Sequence, residues 1–162
     1  MTLPEKELRH ILFRYADEKK TRFIVDAILQ KRKTEKLDTT MKLLKIIEES
    51  SFDPKSPIRV FQALRIAVND EFGHIERSFE RVIPLMDQGG IIMVITFHSI
   101  EDRLVKNFFA PYLTGTQDDI TGQIVVPPVL KKITKKPIEP TEQEIQTNPR
   151  SRSAKLRIYQ KI

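Results

Sequence analysis

Near the front of the chain, apolar residues recur every three or four positions. Leu8, Ile11, Leu12 and Tyr15 form one stripe, and Phe23, Ile24, Ala27 and Ile28 begin a second. That spacing puts each set on one face of an α-helix. Pro4 suits a first helical turn, where its missing N–H costs nothing. The segment YADEKK between the stripes predicts a bend. A third helix is expected from Thr39 or Thr40 through Met41, Leu44 and Ile47, with a hydroxyl as its cap. The punctuation SSFDPKSP then predicts a small helical unit over residues 1–50 and a junction over 51–57.

The longest stripe follows. Phe61, Leu64, Val68, Phe72, Ile75, Phe79 and Val82 read as one buried face of a single helix, with Gly73 as the place for a kink. Pro84 and the run MDQGG end it. Residues 91–97, IIMVITF, are uninterrupted apolar positions behind Gly89-Gly90. Such a run predicts a strand buried on both faces, as in a parallel sheet. A further helix is expected after His98, with Ser99 as cap, Asp102 completing a capping box, and Leu104, Val105, Phe108 and Phe109 on its apolar side. Residues 111–129 lack periodicity and read as a loop. KKITKKPI and AKLRIYQKI read as late strands, with Ile133, Leu156, Ile158 and Ile162 as their apolar positions. Between them, EPTEQEIQTNP predicts a short helical turn.

Helix, buried strand, helix and two late strands belong to an α/β fold. Yet the stretch before residue 58 offers no strand to neighbour residues 91–97. None of the five glycines builds a G-x-G turn after an early strand either. The sequence looks like the back half of a fold.

Composition narrows the chemistry. With no Cys and three scattered histidines (His10, His74, His98), a disulfide scaffold, a thiolate nucleophile and a His-rich metal cluster are not expected. No window approaches the length and apolarity of a membrane span, and MTLPEKELRH has no signal-like core, so a cytoplasmic protein is expected. The formal net charge is +6, and residues 129–162 carry nine basic against three acidic side chains. A basic region beside a near-neutral body suits phosphate contact; a solubilising lysine surface is the plainer alternative.

Three clusters could carry function. In RVFQALRIAVNDE (59–71), Arg59, Gln62, Arg65 and Asn69 interrupt an apolar helix. Arg65 and Asn69 share a face and have the groups that hold phosphate or a base edge; a solvated face is the alternative. In TFHSIEDR (96–103), His98, Ser99, Glu101 and Asp102 stand where a strand ends and a helix begins. Ligands of open α/β sheets bind beyond such strand ends. The adjacent His and Ser lack a nucleophile elbow and an oxyanion loop, which argues against hydrolysis and leaves capping or another polar chemistry. In NPRSRSAKLR (148–157), Arg150 and Arg152 alternate with serines, a composition for phosphate contact or for pairing with Glu142 and Glu144.

Together, FQALRIAVNDE (61–71), ITFHSIEDRLVK (95–106), TKKPI (134–138) and NPRSRSAKLR (148–157) closely resemble the C-terminal half of the bacterial 16S ribosomal RNA cytosine-1402 N4-methyltransferase family, known as MraW or small subunit methyltransferase H. The helical opening looks like the end of the helical domain inserted in that family, and RYADEKKTRFIVDAILQKR (14–32) is similar to its Tyr-Gly-Glu-Glu stretch and the basic helix after it. The resemblance covers essentially the whole chain. It implies the C-terminal half of a class I, Rossmann-like methyltransferase over residues 58–162, preceded by part of the inserted domain over 1–57. It also implies methyl transfer from S-adenosylmethionine to the exocyclic N4 of a cytidine in 16S ribosomal RNA, as part of ribosome biogenesis. The family pattern carries over to Arg59, Phe61, Gln62, Arg65 and Asn69, to Phe97, His98, Ser99, Glu101, Asp102 and Arg103, and to Arg150, Arg152, Ser153, Lys155 and Arg157. Asn69, His98, Ser99, Glu101 and Asp102 are thus the catalytic candidates. Arg59, Gln62, Arg65, Arg103, Lys135, Lys136, Arg150, Arg152 and Lys155 are the RNA-binding candidates.

There are departures. Ser56-Pro57-Ile58 replaces the family's Pro-Ala-Thr, and Gln88 replaces a proline before the double glycine. The Gly-rich cofactor loop, the ribose-binding acid and the Asp-Leu-Gly segment have no counterpart, so no S-adenosylmethionine site is expected in this chain alone. Expected partners are 16S ribosomal RNA or the small subunit, with a separate N-terminal half or a second copy of the chain. A non-catalytic RNA-binding or interaction module is the alternative.

Overall fold

The computed structural model describes residues 3–118 and 121–162, the side chains of Thr116 and Gln117 excepted. The chain divides into two compact units, Met1–Glu71 and Phe72–Ile162.

The first unit is built from α1 (Glu5–Tyr15), α2 (Thr21–Thr34), α3 (Thr40–Ser51) and α4 (Ser56–Val68). Its core gathers Leu8, Ile11 and Leu12 from α1, Ile24, Val25 and Ile28 from α2, Ile46 and Ile47 from α3, and Val60 and Ala63 from α4. Local chemistry sets the ends. The Thr39 hydroxyl accepts from the Lys42 N–H at 3.3 Å and starts α3, as expected. Phe52 closes α3 in the left-handed region (φ 55°), and Pro57 occupies the first turn of α4. The helical unit therefore reaches past residue 57 and takes in the first half of what reads as the longest helix.

That helix is two helices. α4 ends with Asn69 as its C-cap, Asp70 takes φ 49°, and α5 (Glu71–Leu85) starts anew. The break falls at Asp70 and not at Gly73, because a short polar side chain tolerates the left-handed conformation. Interrupting the helix resets its phase. Val60, Ala63 and Ile66 are buried, whereas Val68 is 80% exposed. Phe23 and Met41 likewise point outward while Val25 and Ile46 take the inner places.

The second unit holds most of α5, then β1 (Ile91–Thr96), α6 (Ser99–Thr114), β2 (Thr116–Gln117), β3 (Ile124–Val126), β4 (Leu130–Lys132), α7 (Glu142–Thr147), a 3₁₀ turn (Pro149–Ser153) and β5 (Lys155–Lys161). α6 runs through Pro111 to Thr114, so the loop starts later than the sequence suggests. The main sheet has the order β1-β5-β4, and both pairings are antiparallel. The expectation of parallel neighbours for residues 91–97 is corrected here: among the described residues β1 has one partner, β5, and its other edge is unpaired.

Register explains the burial. Ile92 faces Tyr159, Val94 faces Arg157 and Thr96 faces Lys155 on the covered side. There Ile92 and Tyr159 join Ile83, Val105, Phe109 and Leu130 in the core, and the Phe109 and Tyr159 rings stack with centroids 4.1 Å apart. On the other side Ile91, Met93 and Ile95 are more than half exposed, opposite Gln160, Ile158 and Leu156. β1 is thus buried on one face, not two. β5 is also inverted relative to expectation, since Leu156 and Ile158 lie on the open face while Arg157 and Tyr159 point inward. Gly89, at φ 86°, turns the chain into β1 while its N–H donates to the Lys161 carbonyl at 2.9 Å.

Candidate functional site

In the second unit the sequence candidates collect at one end of the main sheet. β1 ends at Thr96 directly opposite the start of β5 at Lys155. His98 stands two residues past that end and α6 opens at Ser99. On the far edge of β5, Ile138 and Leu156 exchange backbone hydrogen bonds of 2.8 and 2.9 Å. This brings the exposed Lys135 and Lys136 segment toward the same end of β5, where the 3₁₀ turn carries exposed Arg150 and Arg152. Strand direction and register therefore unite residues that are distant in sequence.

The cap of α6 differs from expectation by one residue. His98, not Ser99, is the N-cap, and its Nδ1 accepts from the Glu101 N–H at 3.2 Å. Glu101, not Asp102, is the acidic partner three residues on, and its Oε2 accepts from the Phe97 N–H at 2.8 Å. An imidazole nitrogen does the work of a Ser or Asp oxygen here. The other ring nitrogen, Nε2, is buried and lies 2.8 Å from Glu101 Oε1, off the axis of a directed hydrogen bond. Burial pushes the Glu101 carboxyl up, but the imidazole and the Phe97 N–H outweigh it, and the net shift is downward. Phe72 stacks on the His98 ring with centroids 6.5 Å apart.

Asp102 turns away to a different duty. Its two oxygens accept from Arg157 Nε and Nη2 at 2.7 and 2.9 Å, a fork-to-fork pair with both side chains largely buried. The Arg157 hydrogen bond holds the Asp102 carboxyl below its ordinary value despite partial burial. This pair ties the first turn of α6 to β5. Ser99 and Arg103 lie exposed in that first turn.

In the first unit, Arg65 and Asn69 do share a side of α4, and both reach Glu71. Arg65 donates from Nε and Nη2 at 2.8 and 3.1 Å, and Asn69 Nδ2 donates at 3.3 Å. Glu71 thus neutralises the guanidinium offered as a phosphate contact. Gln62 is half-buried on the same helix.

Arg59 is engaged inward. It donates to Glu18 Oε2 at 3.2 Å and to Asp53 Oδ2 at 2.9 Å. Glu18, almost wholly buried, also accepts from the Ser56 hydroxyl at 2.7 Å and the Lys20 N–H at 2.8 Å. Burial raises this carboxyl, but the donors from Ser56, Lys20 and Arg59 together bring it below its usual value. Sequence reasoning missed Glu18 because its partners lie 38 and 41 positions away.

No group of three or more His, Asp or Glu residues among those described is placed to hold a metal. No helix of the structure is long and apolar enough to cross a membrane. Gly89 and Gly90 precede β1, Gly115 and Gly122 flank the β2–β3 ribbon, and Gly73 lies within α5. None forms a turn between a strand and a helix N-terminus, the usual cradle of a phosphate or carboxylate.

The described residues thus form a helical unit and an α/β unit with a polar strand end. The family comparison makes the assignment definite: the sequence model of the MraW methylase family matches residues 1–162, and the chain belongs to that family. It is also similar to the ribosomal RNA small subunit methyltransferase H of Limosilactobacillus fermentum (strain NBRC 3956 / LMG 18251), at 43% identity over 169 residues. The match takes in 97% of this chain and 53% of the relative, so the chain spans about half the length of the curated relative it matches.

Proposed function

We propose that this chain is the C-terminal half of a cytoplasmic, S-adenosylmethionine-dependent enzyme that methylates the N4 amine of a cytidine in 16S ribosomal RNA. The cofactor-binding half is supplied by polypeptide outside these 162 residues. The observation that carries the reading is the convergence at the end of β1: His98, Glu101, Asp102 and Lys155 meet there from segments more than 50 residues apart. In open α/β sheets ligands bind in the crevice beyond the strand ends.

The basic segments beside that end, Lys135, Lys136, Arg150, Arg152 and Lys155, are the candidates for phosphate contact. His98, Ser99 and Glu101 are the candidates at that end for handling the target base, and Asn69, in the first unit, is a separate candidate. Because both His98 nitrogens already face Glu101, His98 orients the strand end in this arrangement.

The test restores a front half from a close relative and follows transfer of labelled methyl groups to 16S RNA in small subunits. Wild-type back half should support transfer, and His98→Ala and Asn69→Ala should lower its rate at unchanged RNA affinity. Equal rates in all three would remove these residues from the chemistry. The lone chain should bind S-adenosylmethionine no better than millimolar by calorimetry; saturable micromolar binding would contradict the division of labour.

A further inference from the structure

The outer face of the first unit carries a feature that the strand-end site does not use. α1 turns Leu8, Ile11 and Leu12 inward, which leaves Lys6, His10 and Phe13 on the opposite side at spacings of four and three. Phe13 is 82% exposed. Its ring borders a groove of about 1060 Å³ that also takes in Lys6, His10, Lys19 and Arg22. Three charges in its wall are already answered: Arg9 by Glu5 and Asp26, Arg22 by Asp26, and Glu18 by Ser56 and Arg59. What remains is Lys6 and Lys19 against Glu7.

An open aromatic ring among uncompensated cations is the combination that binds single-stranded nucleic acid. The ring stacks a base of any identity, and the cations follow the backbone. We propose that this groove binds a single-stranded segment of the RNA substrate, with one base stacked on Phe13 and flanking phosphates held by Lys6 and Lys19. The inference rests on the ribosomal RNA reading and adds to it a second contact, within the helical unit. A membrane surface would ask for a broader apolar face, and an acidic peptide would have no use for the ring.

The test is fluorescence anisotropy of the full chain with three probes: a 12-nucleotide mixed-pyrimidine RNA, the same backbone without bases, and a 12-base-pair RNA duplex. Phe13→Ala should weaken the single strand about 5- to 150-fold, corresponding to about 1–3 kcal/mol for one stacked base. Phe13→Trp should restore it. The abasic strand and the duplex should not distinguish Phe13→Ala from wild type. Met41→Ala, an exposed apolar residue on α3, should change nothing. Lys6→Ala and Lys19→Ala should each lower the salt slope by about 0.7.

Wild-type affinity in Phe13→Ala, no single-strand binding by wild type, or full displacement of the strand by an acidic peptide would each overturn the groove. Methyl transfer by the restored enzyme is a separate readout. Transfer intact with Phe13→Ala indistinguishable from wild type defeats the groove alone, whereas absent transfer with an intact Phe13 effect defeats the enzymatic reading alone.

Discussion

The two units solve the same problem differently. In the first, four helices bury their apolar stripes against one another, and the interior backbone bonds of each close within that helix. In the second, a three-stranded sheet covers one face with α6 and, among the described residues, leaves Ile91, Met93, Ile95 and one full edge of β1 uncovered. The contrast follows from where hydrogen bonds are made. A helix closes its bonds within about four residues, so a helical unit can be a finished body at any size that buries its stripes. A strand needs a neighbour on each side, so a sheet advertises whatever has not yet joined it.

The largest expected effects come from the two cores. Phe109→Ala should cost about 3–5 kcal/mol and Leu12→Ala about 2–5 kcal/mol; both side chains are fully buried. Chemical denaturation with separate probes for helix and for Tyr159 would measure them. A near-zero cost at Phe109 would mean that the sheet unit has no fixed core.

Next come the polar hubs. Glu18→Ala leaves Arg59 and the buried Ser56 hydroxyl without their shared acceptor, and Asp102→Ala strands the largely buried Arg157. Each should cost about 2–4 kcal/mol. A neutral result at Asp102 would show that α6 does not depend on the clamp to β5.

Acid should then weaken both units, because Glu18, Asp53, Glu101 and Asp102 all sit below their ordinary values when folded. Their contribution is present above the usual carboxylate range near pH 4 and is lost as pH falls through the lower folded values. Alkali should separate the units. Burial raises the Tyr159 phenol, so its contribution is intact below about pH 10 and disappears as pH climbs through the higher folded value. Tyrosinate absorbance and unfolding midpoints against pH would check both arms.

The smallest effect on folding, and the sharpest on behaviour, belongs to the open face. The lone chain is expected to self-associate through β1, and Met93→Lys should reduce this in sedimentation while moving stability by no more than about 0.5 kcal/mol. A monomeric wild-type chain would contradict it.

The local signals were readable and the distant ones were not. The start of α3 at Thr39-Thr40 and the limits of β1 follow from caps and apolar runs, which depend on neighbours in sequence. The phase of α4 and α5 was hidden because one left-handed residue, Asp70, reset it. The inward face of β5 was hidden because Arg157 looks like a surface residue until Asp102, 55 positions away, neutralises it. The cap of α6 was misplaced by one because an imidazole is not among the usual capping groups. The strand-end cluster could be suspected from TFHSIEDR, but the approach of Lys135, Arg152 and Lys155 depends on strand register, which no short string reveals.

The cap at His98 also has a spectroscopic meaning. A nitrogen that accepts the Glu101 amide carries no hydrogen, so the ring proton sits on Nε2, walled in beside Glu101 Oε1. Nitrogen-15 spectra should therefore show the His98 ring held in a single tautomer, its N–H slow to trade with solvent. Glu101→Gln would disturb that signal before it disturbed anything else. The magnetic fingerprint of one ring thus reports, without any substrate present, whether the end of β1 is assembled.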